Sequence, residues 1–501
     1  MILPRSFYNW ISLIGAIIAL VSLALIVFLF IIATVFNQGS SYLGLFIYIA
    51  LPALMIIGLL LIPIGMIVRI RRRRKMDRET RRKLPYIDLN DPQHRNAFLI
   101  FSIATMVFLF LTSIGSYEAF HYTESVPFCG TLCHDVMEPE YATYQHSAHA
   151  HVPCVECHVG SGADWYVKSK LSGLYQVYAV LTNIYPRPIP TPVQNLRPAR
   201  ETCERCHWPE KFYARKLRVQ KNFLANETNT EWDIAMQMKT GPLYSAWGLK
   251  EGSHWHINPD VSIEYISTDE TREAIPWIRF TNQRTGESTV YVDEENPLED
   301  SVIAKLPVRT MDCIDCHNRP SHSYKSPPDY VDNMLLSGEI PKEIPQIKYI
   351  AMEVLKNPFT NKDTALMTID STITAFYQSD YPDYYADNKS KIDLTIRAIQ
   401  NGFSLNTFPS MGVRYDAYPD HIGHLESDGC FRCHSDRHVA TEGKIISKDC
   451  DLCHTILAQG IPGQMATTTV FDTLEFQHPV PLRNDIWKTA FCSECHKALY
   501  Q

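Results

Sequence analysis

No cysteine in this 501-residue chain stands outside one short pattern. The pattern is Cys, two or three residues, Cys, then His, and its seven copies use all 14 cysteines. No thiol is left for a disulfide framework or for a free nucleophile. The chain also lacks a basic body. Residues 1–96 carry 12 Lys and Arg against 4 Asp and Glu, whereas residues 97–501 carry 35 against 50. An acidic body does not offer the basic face that nucleic acid requires. The three long apolar runs near the start contain no histidine. A transmembrane b-type haem needs axial ligands inside the spans, so these runs hold none. The seven copies are irregularly spaced, which excludes a repeat of one whole unit.

What is there is the pattern itself. It reads Cys129-Gly-Thr-Leu-Cys133-His134, then Cys154 to Cys157-His158, Cys203 to Cys206-His207 and Cys313 to Cys316-His317. Cys430 to Cys433-His434, Cys450 to Cys453-His454 and Cys492 to Cys495-His496 follow. C-x-x-C-H is the attachment signal for c-type haem. The thiols add to the haem vinyl groups and the adjacent His binds iron. C-x-x-C is also half of a zinc site. Zinc does not need His directly after the second Cys every time, and His is only 19 of the 501 residues. The expectation is seven covalent c-haems, the first on a motif with three intervening residues.

Ile11–Phe36 and Tyr42–Val68 are long enough to cross a bilayer core of about 30 Å, and Ala97–Tyr117 is a third candidate. Pro52 and Pro63 fall in the second run. Three long runs do not resemble one cleavable signal peptide. Arg69, Arg71–Arg74, Lys75, Arg78, Arg81, Arg82 and Lys83 separate the second and third runs, so that loop is expected in the cytoplasm. The N-terminus with Arg5 is then also inside, and Asn37–Ser41 is outside. The third run exits where every haem motif follows, on the periplasmic side of a bacterial inner membrane.

The expected fold is a membrane-anchored multihaem cytochrome. Three transmembrane helices precede a mainly α, loop-rich haem domain with a small β section. The expected divisions are 1–117 anchor, 118–324 four-haem domain, 325–410 helical spacer and 411–501 three-haem extension. Strands are expected at Val261–Ile266, Ile275–Phe280 and Ser288–Val292, with a turn at Asn282–Gly286. Helices are expected at Ile344–Leu355 and Ile392–Asn401.

A low-spin electron-transfer haem needs a second axial ligand. Beyond the seven motif histidines and cytoplasmic His94, eleven His remain, among them His121, His146 and His151. The preferred second ligands are His149, one of His254 and His256, His322, one of His421 and His424, His438 and His478. For the first haem, Met137 lies just past His134, and a thioether raises potential relative to imidazole.

These residues resemble the NapC/NirT family of membrane-anchored multihaem quinol dehydrogenases, over about residues 97–325. A span runs straight into a haem motif with a nearby Met, here Met137. Ser147-Ala-His149-Ala-His151-Val-Pro-Cys154 matches the family's Ser-x-His ahead of its second motif. Cys313-Ile-Asp-Cys316-His317 is followed by His322, as in the family's fourth motif. The resemblance implies oxidation of menaquinol or ubiquinol at the periplasmic face, with electrons passed to periplasmic c-type cytochromes or reductases. It implies that Met137 competes with His134 for iron, and that Lys170 lies at the quinol pocket. The family's pocket Asp falls on Gln176, which leaves the proton acceptor open among Asp135, Glu138, Glu140, Asp164 and His121. Three spans, the longer first motif and the three-haem extension depart from the family pattern. They are similar to the longer inner-membrane cytochromes of metal-reducing bacteria. A non-catalytic conduit beside further membrane subunits is the alternative reading. A terminal reductase is disfavoured by abundant second ligands and by the lack of any C-x-x-C-Lys motif.

Overall fold

A computed structural model describes residues 7–35, 47, 50–76, 88–160, 162–192, 197–208, 212–241 and 252–497. Arg5, the Asn37–Ser41 loop, Arg78, Arg81, Arg82 and Lys83 lie outside the described residues. The chain divides into two compact units: residues 1–137 with 153–155, and residues 138–152 with 156–501.

The first unit contains α1 (Trp10–Val35), α2 (Leu51–Met76) and α3 (Pro92–Thr123). Within them Trp10–Leu29, Leu51–Arg72 and His94–Thr123 are long and apolar enough to cross a membrane. The helices are continuous because backbone polar groups have no water partner in hydrocarbon. Small residues set the α1–α2 contact. A Cβ on Gly58 would stand 2.7 Å from Ala19 N, and one on Gly15 would stand 2.6 Å from Gly58 O. The Ser12 hydroxyl crosses to Ile62 O at 2.8 Å. Lipid tails are as apolar as Leu, so close backbone approach replaces the hydrophobic drive. Next along the chain come α4 (His134–Gln145) and α5 (Ala163–Thr182).

The second unit carries two antiparallel sheets. One has the order β1 (Arg215–Phe223), β2 (Glu231–Lys239), β8 (His454–Gly460), β9 (Ala466–Thr467). The other runs β6 (Arg309–Thr310), β3 (Val261–Ile266), β4 (Trp277–Asn282), β5 (Ser288–Asp293), β7 (His438–Ala440). β3 has the expected bounds. β4 starts two residues later than expected, after Pro276, and runs into the turn, where Asn282 Oδ1 accepts from Arg284 N and Thr285 N. Strands β7 and β8 come from the C-terminal segment and complete both sheets. The expected boundary at residue 411 is therefore crossed by two ladders.

Residues 325–410, expected as a spacer, hold the main apolar core. Four helices build it: α6 (Pro327–Ser337), α7 (Ile347–Leu355), α8 (Lys362–Asp380) and α9 (Pro382–Asn406). Ser326 caps α6 through Asp329 N, and Asn361 caps α8 through Thr364 N. Val331, Ile340, Ile344, Ile347, Ile369, Ile373, Ile392 and Ile399 are all fully buried. This stretch has no Cys, so it must be held together by ordinary side-chain burial. Helix α7 begins three residues later than expected, because Gln346 takes φ 53° before it.

Candidate functional site

Six motif histidines each face a second histidine. The ring centres are 5.9 Å apart for His207 and His149, 6.3 Å for His158 and His322, and 6.5 Å for His317 and His254. They are 5.8 Å for His434 and His256, 6.2 Å for His454 and His424, and 6.3 Å for His496 and His478. Two imidazoles bound at about 2.0–2.1 Å to opposite sides of one metal hold their centres about 6 Å apart. Among the described residues no three His, Cys, Asp or Glu side chains converge as a metal cage. Pairs suit a metal that brings its own equatorial nitrogens, as iron porphyrin does. The residues present fit haem.

The backbone orients several of these rings. Nδ1 of His149 donates to Pro320 O (3.1 Å), His256 to Ser253 O (2.8 Å), and His322 to Glu140 O (3.0 Å). His434 donates to Ser447 O (3.0 Å) and His478 to Val480 O (2.7 Å). A donor bond at Nδ1 fixes the tautomer and leaves the Nε2 lone pair for a metal. Burial lowers the pKa of His158, His254, His256, His317, His322, His434, His454 and His496. It brings His424 down to about 4, with His454 adding to the effect. These imidazoles are therefore held neutral, the form that ligates.

The pairing differs from the expected set at two points, His254 with His256 and His438, and selects between His421 and His424 at a third. His254 and His256 both face motif histidines, where only one was expected to. They sit two residues apart on a 3₁₀ turn, Ser253–Ile257. At three residues per turn they project about 240° apart, so they serve different sites. Of His421 and His424, it is His424 that faces a motif histidine. His421 is buried with Nδ1 on Asp315 O and Nε2 on Thr271 O, both 3.1 Å. His438 is fully buried beside β5, with Nε2 on Ile275 O at 2.7 Å and Nδ1 at 3.4 Å from Ser435 Oγ. Both nitrogens of each ring are spent on protein, which corrects His421 and His438 as ligands.

The motifs neighbour one another in sequence order. Cys154 hydrogen-bonds Cys129 within the first unit. In the second unit Cys203 lies near Cys157 and hydrogen-bonds Cys313. Cys316 lies near Cys430, Cys453 near Cys430, and Cys492 near Cys450. Cys133, Cys206, Cys433 and Cys495 complete the set, and none of the 14 is in a disulfide.

Two residues inside the motifs escaped the sequence reading. Asp315, the last residue before Cys316, is buried and accepts from Arg309 Nε (2.7 Å), Arg272 (2.9 Å) and the Tyr265 hydroxyl (2.6 Å). Arg432, in the fifth motif, donates to Asp315 O (2.9 Å) and Arg272 O (2.7 Å). Together they clamp the fourth motif to the fifth. A charged residue in the variable slots of the motif was the available signal.

His134 has no histidine opposite it among the described residues; its Nδ1 meets Asp135 at 2.7 Å. It opens α4, and Met137 lies one turn on, so both project from one face of that helix. His121 packs on Tyr117, with ring centres 4.4 Å apart. Lys170 is half-buried on α5 with its Nζ 4.8 Å over the Tyr166 ring. Gln176 is exposed and reaches Ser172. Six residues separate it from Lys170, about 240° around the helix, so the two face different sides. Asp164 is exposed in the first turn of α5. Glu138 is exposed and pairs with Lys362 at 3.3 Å.

Residues 91–188 match the NapC/NirT cytochrome c family, N-terminal region. A cytochrome c-type protein of Geobacter sulfurreducens, ImcH, is 42% identical over 495 residues, 98% of this chain and 95% of that protein. This chain is a NapC/NirT-family cytochrome c. The cytochrome c-type protein NrfH of Wolinella succinogenes is 32% identical over 115 residues, 22% of this chain and 63% of that protein. No solved structure matches the chain. Family membership and the three apolar helices make this NapC/NirT cytochrome a membrane-anchored, haem c-bearing electron-transfer protein.

Proposed function

We propose that this cytochrome is a quinol dehydrogenase of the bacterial inner membrane, passing electrons from menaquinol or ubiquinol through seven c-haems to periplasmic cytochromes. The observation that carries it is the run of six histidine pairs beside motifs that neighbour one another in chain order. When bound, haem supplies one-electron chemistry. The protein's part would be to supply two imidazoles to the haem at each of six sites, which would leave no open position there for a substrate and suit the sites to electron transfer.

The first motif is the exception and serves as the entry. His134 and Met137 share a helix face, so one or the other would hold the first haem, and no histidine faces them among the described residues, which favours quinol docking there. A quinol gives up two electrons and two protons. Lys170 supports the quinol site, by family resemblance. Of the candidate acceptors, Asp135 is already beside His134, whereas Glu140 is engaged with His322 and Arg319. Asp135 is therefore the better proton acceptor. Protons leave to the periplasm. The orientation rests on the arginines that end α2, among them Arg69, Arg71 and Arg72, which favour the cytoplasmic side.

The test mixes oxidised, detergent-purified protein with a reduced menaquinone analogue and follows the haem α-band. Rapid reduction, slowed by Lys170→Ala and by a quinol-site inhibitor, is expected. Reduction by dithionite alone would assign this chain the role of a conduit beside a quinol-oxidising subunit.

A further inference from the structure

His421 belongs to none of the six pairs, yet it is only 4% exposed. Every group that its ring nitrogens meet is an acceptor. Nδ1 lies 3.1 Å from Asp315 O, and Nε2 lies 3.1 Å from Thr271 O. Nε2 is also 3.1 Å from a carboxylate oxygen of Glu273. A carbonyl cannot donate, and a neutral imidazole has one donor and one acceptor. In a neutral ring, one nitrogen lone pair would therefore face a buried oxygen lone pair. With both nitrogens protonated, each has a partner. His438, buried as deeply, differs in this respect. One of its nitrogens meets the Ser435 hydroxyl, which can donate, so a neutral ring is satisfied there.

Glu273 supplies a second, independent reason. Its oxygen beside the ring is buried and accepts no hydrogen bond among the described residues. A buried anionic oxygen is costly without a cation beside it. Among the described residues, His421 is the only side chain at ion-pair distance from it. The other carboxylates close to this point are already engaged. That of Asp315 is taken by Arg272 and Arg309, that of Asp312 by Ile314 N, and that of Asp420 by Ile422 N. Glu273 is thus the counter-ion of the ring. Its side chain is 24% exposed, so it keeps its charge and is partly screened by water.

The ring stands where the fourth motif meets the fifth. Its backbone N donates to Asn318 Oδ1 at 3.0 Å, and Asp315 and Asn318 bracket Cys316 and His317. The chain after it returns to the fifth motif, where Cys430 N donates to Gly423 O at 2.9 Å. Arg432, inside that motif, donates to the same Asp315 carbonyl as His421 does. We propose that His421 is a fixed imidazolium at this junction and raises the potentials of the haems attached by the fourth and fifth motifs. Positive charge disfavours ferric iron, which carries one more positive charge than ferrous. The junction would then collect electrons within the chain of sites. The inference rests on haem at these two motifs, as read above, and not on quinol oxidation.

The test uses the full haem-loaded chain. Peptide maps first locate the haems. Dithionite and ferricyanide with mediators then set the potential, so no quinol is needed, and electron paramagnetic resonance follows the low-spin haems. At an effective dielectric of about 20, a unit charge roughly 12 Å away shifts a reduction equilibrium about tenfold. His421→Gln is neutral and keeps an amide donor. It is expected to lower two midpoint potentials by about tenfold in the equilibrium, or about 59 mV, and to leave the others in place. His421→Lys keeps a cation and is expected to hold those two potentials near their unaltered values. A neutral ring would reverse the order, with His421→Gln unmoved and His421→Lys raised, and that result overturns the proposal. A merely structural role would lower stability in both variants with every potential unmoved, which also overturns it. Peptide maps without haem at Cys316 or Cys430 would overturn the haem reading and this inference with it.

Discussion

The carboxylate of Glu140 lies 3.0 Å from Nδ1 of His322, the ring that faces His158. Arg319 approaches the same carboxylate at 3.5 Å, so the negative charge is partly offset. Among the paired histidines of the described residues, no other Nδ1 meets a carboxylate. Negative charge beside an axial imidazole favours ferric over ferrous iron. The second haem should therefore have a lowered potential. Glu140→Gln is expected to raise one haem by about 60 mV, the equivalent of about 1.4 kcal/mol for one electron. Spectroelectrochemical titration reads the shift, and low-spin resonance spectra should show ligation unchanged. Unaltered haem potentials would remove Glu140 from any tuning role.

The revised ligand set makes opposite predictions for neighbouring histidines. His256→Gly and His424→Gly should each convert one haem to a high-spin form with an open position. His421→Ala and His438→Ala should leave the six histidine-paired sites low-spin, as in the unaltered protein. These two act on folding and not on ligation. His421→Ala strips the carbonyls of Asp315 and Thr271 and His438→Ala that of Ile275, at a cost of about 1–3 kcal/mol each. Visible and near-infrared spectra separate ligand loss from loss of stability. A high-spin signal in His438→Ala beyond that of the unaltered protein would restore that histidine as a ligand.

The ring planes carry a second spectroscopic prediction. The pairs His149–His207 and His256–His434 cross at 73° and 80°, whereas His254–His317 and His424–His454 lie at 25° and 24°. Near-parallel rings add their π interactions along one iron axis and give rhombic signals. Near-perpendicular rings cancel, leaving nearly axial signals with a large maximum g. Electron paramagnetic resonance of the oxidised protein should show both classes, each with intensity for at least two haems. A spectrum of rhombic signals alone would contradict the arrangement.

The attachment pattern was legible because its chemistry is local. Two thiols and a ligand must fall within one turn, so Cys129 through His496 could be read off the chain. The second ligands come from distant segments, and only tertiary packing selects among them. His438 and His424 look alike in sequence. Strand β7 carries His438 into the sheet, where Ile275 O takes its nitrogen. The adjacency of His254 and His256 suggested redundancy, but the tight turn beneath them sends the two rings apart. The joining of residues 411–501 to both sheets was hidden for a similar reason. Strand β7 spans only three residues, too short for an alternating pattern to show, and β8 starts on the motif residue His454 itself. The spans were legible in number, and only their ends shifted.

Asp315 offers a test of how the fourth and fifth sites are held together. Its carboxylate is buried between Arg272 and Arg309, and its carbonyl receives Arg432. Removing one partner of a buried ion pair leaves uncompensated charge. Asp315→Ala is expected to destabilise the second unit by about 3 kcal/mol, less than a fully buried pair because Arg309 is partly exposed. Asp315→Asn keeps a hydrogen-bond acceptor and should cost less. Thermal unfolding followed by the Soret band gives the comparison. Equal stability in all three proteins would mean that the sheet and the covalent haems hold the two motifs without this clamp.

The anchor gives the last prediction. Gly15 and Gly58 let α1 and α2 approach until backbone meets backbone, and a Cβ on Gly58 would fall 2.7 Å from Ala19 N. That atom is backbone and cannot rotate aside. Gly58→Leu must therefore separate the helices, which also pulls Ser12 from Ile62 O. Packing is what joins helices in lipid, so the loss is not recovered by burying the new side chain. A cysteine pair engineered across this contact, on a background truncated before the first haem motif, should cross-link readily when Gly58 is kept. It should cross-link poorly in the Gly58→Leu protein. Gly115, on α3, has no atom within 4 Å of the place a Cβ would take, so Gly115→Leu is the matched control and should leave cross-linking unchanged. Equal cross-linking in all three would show that α1 and α2 are joined by their connecting loop and not by this close approach.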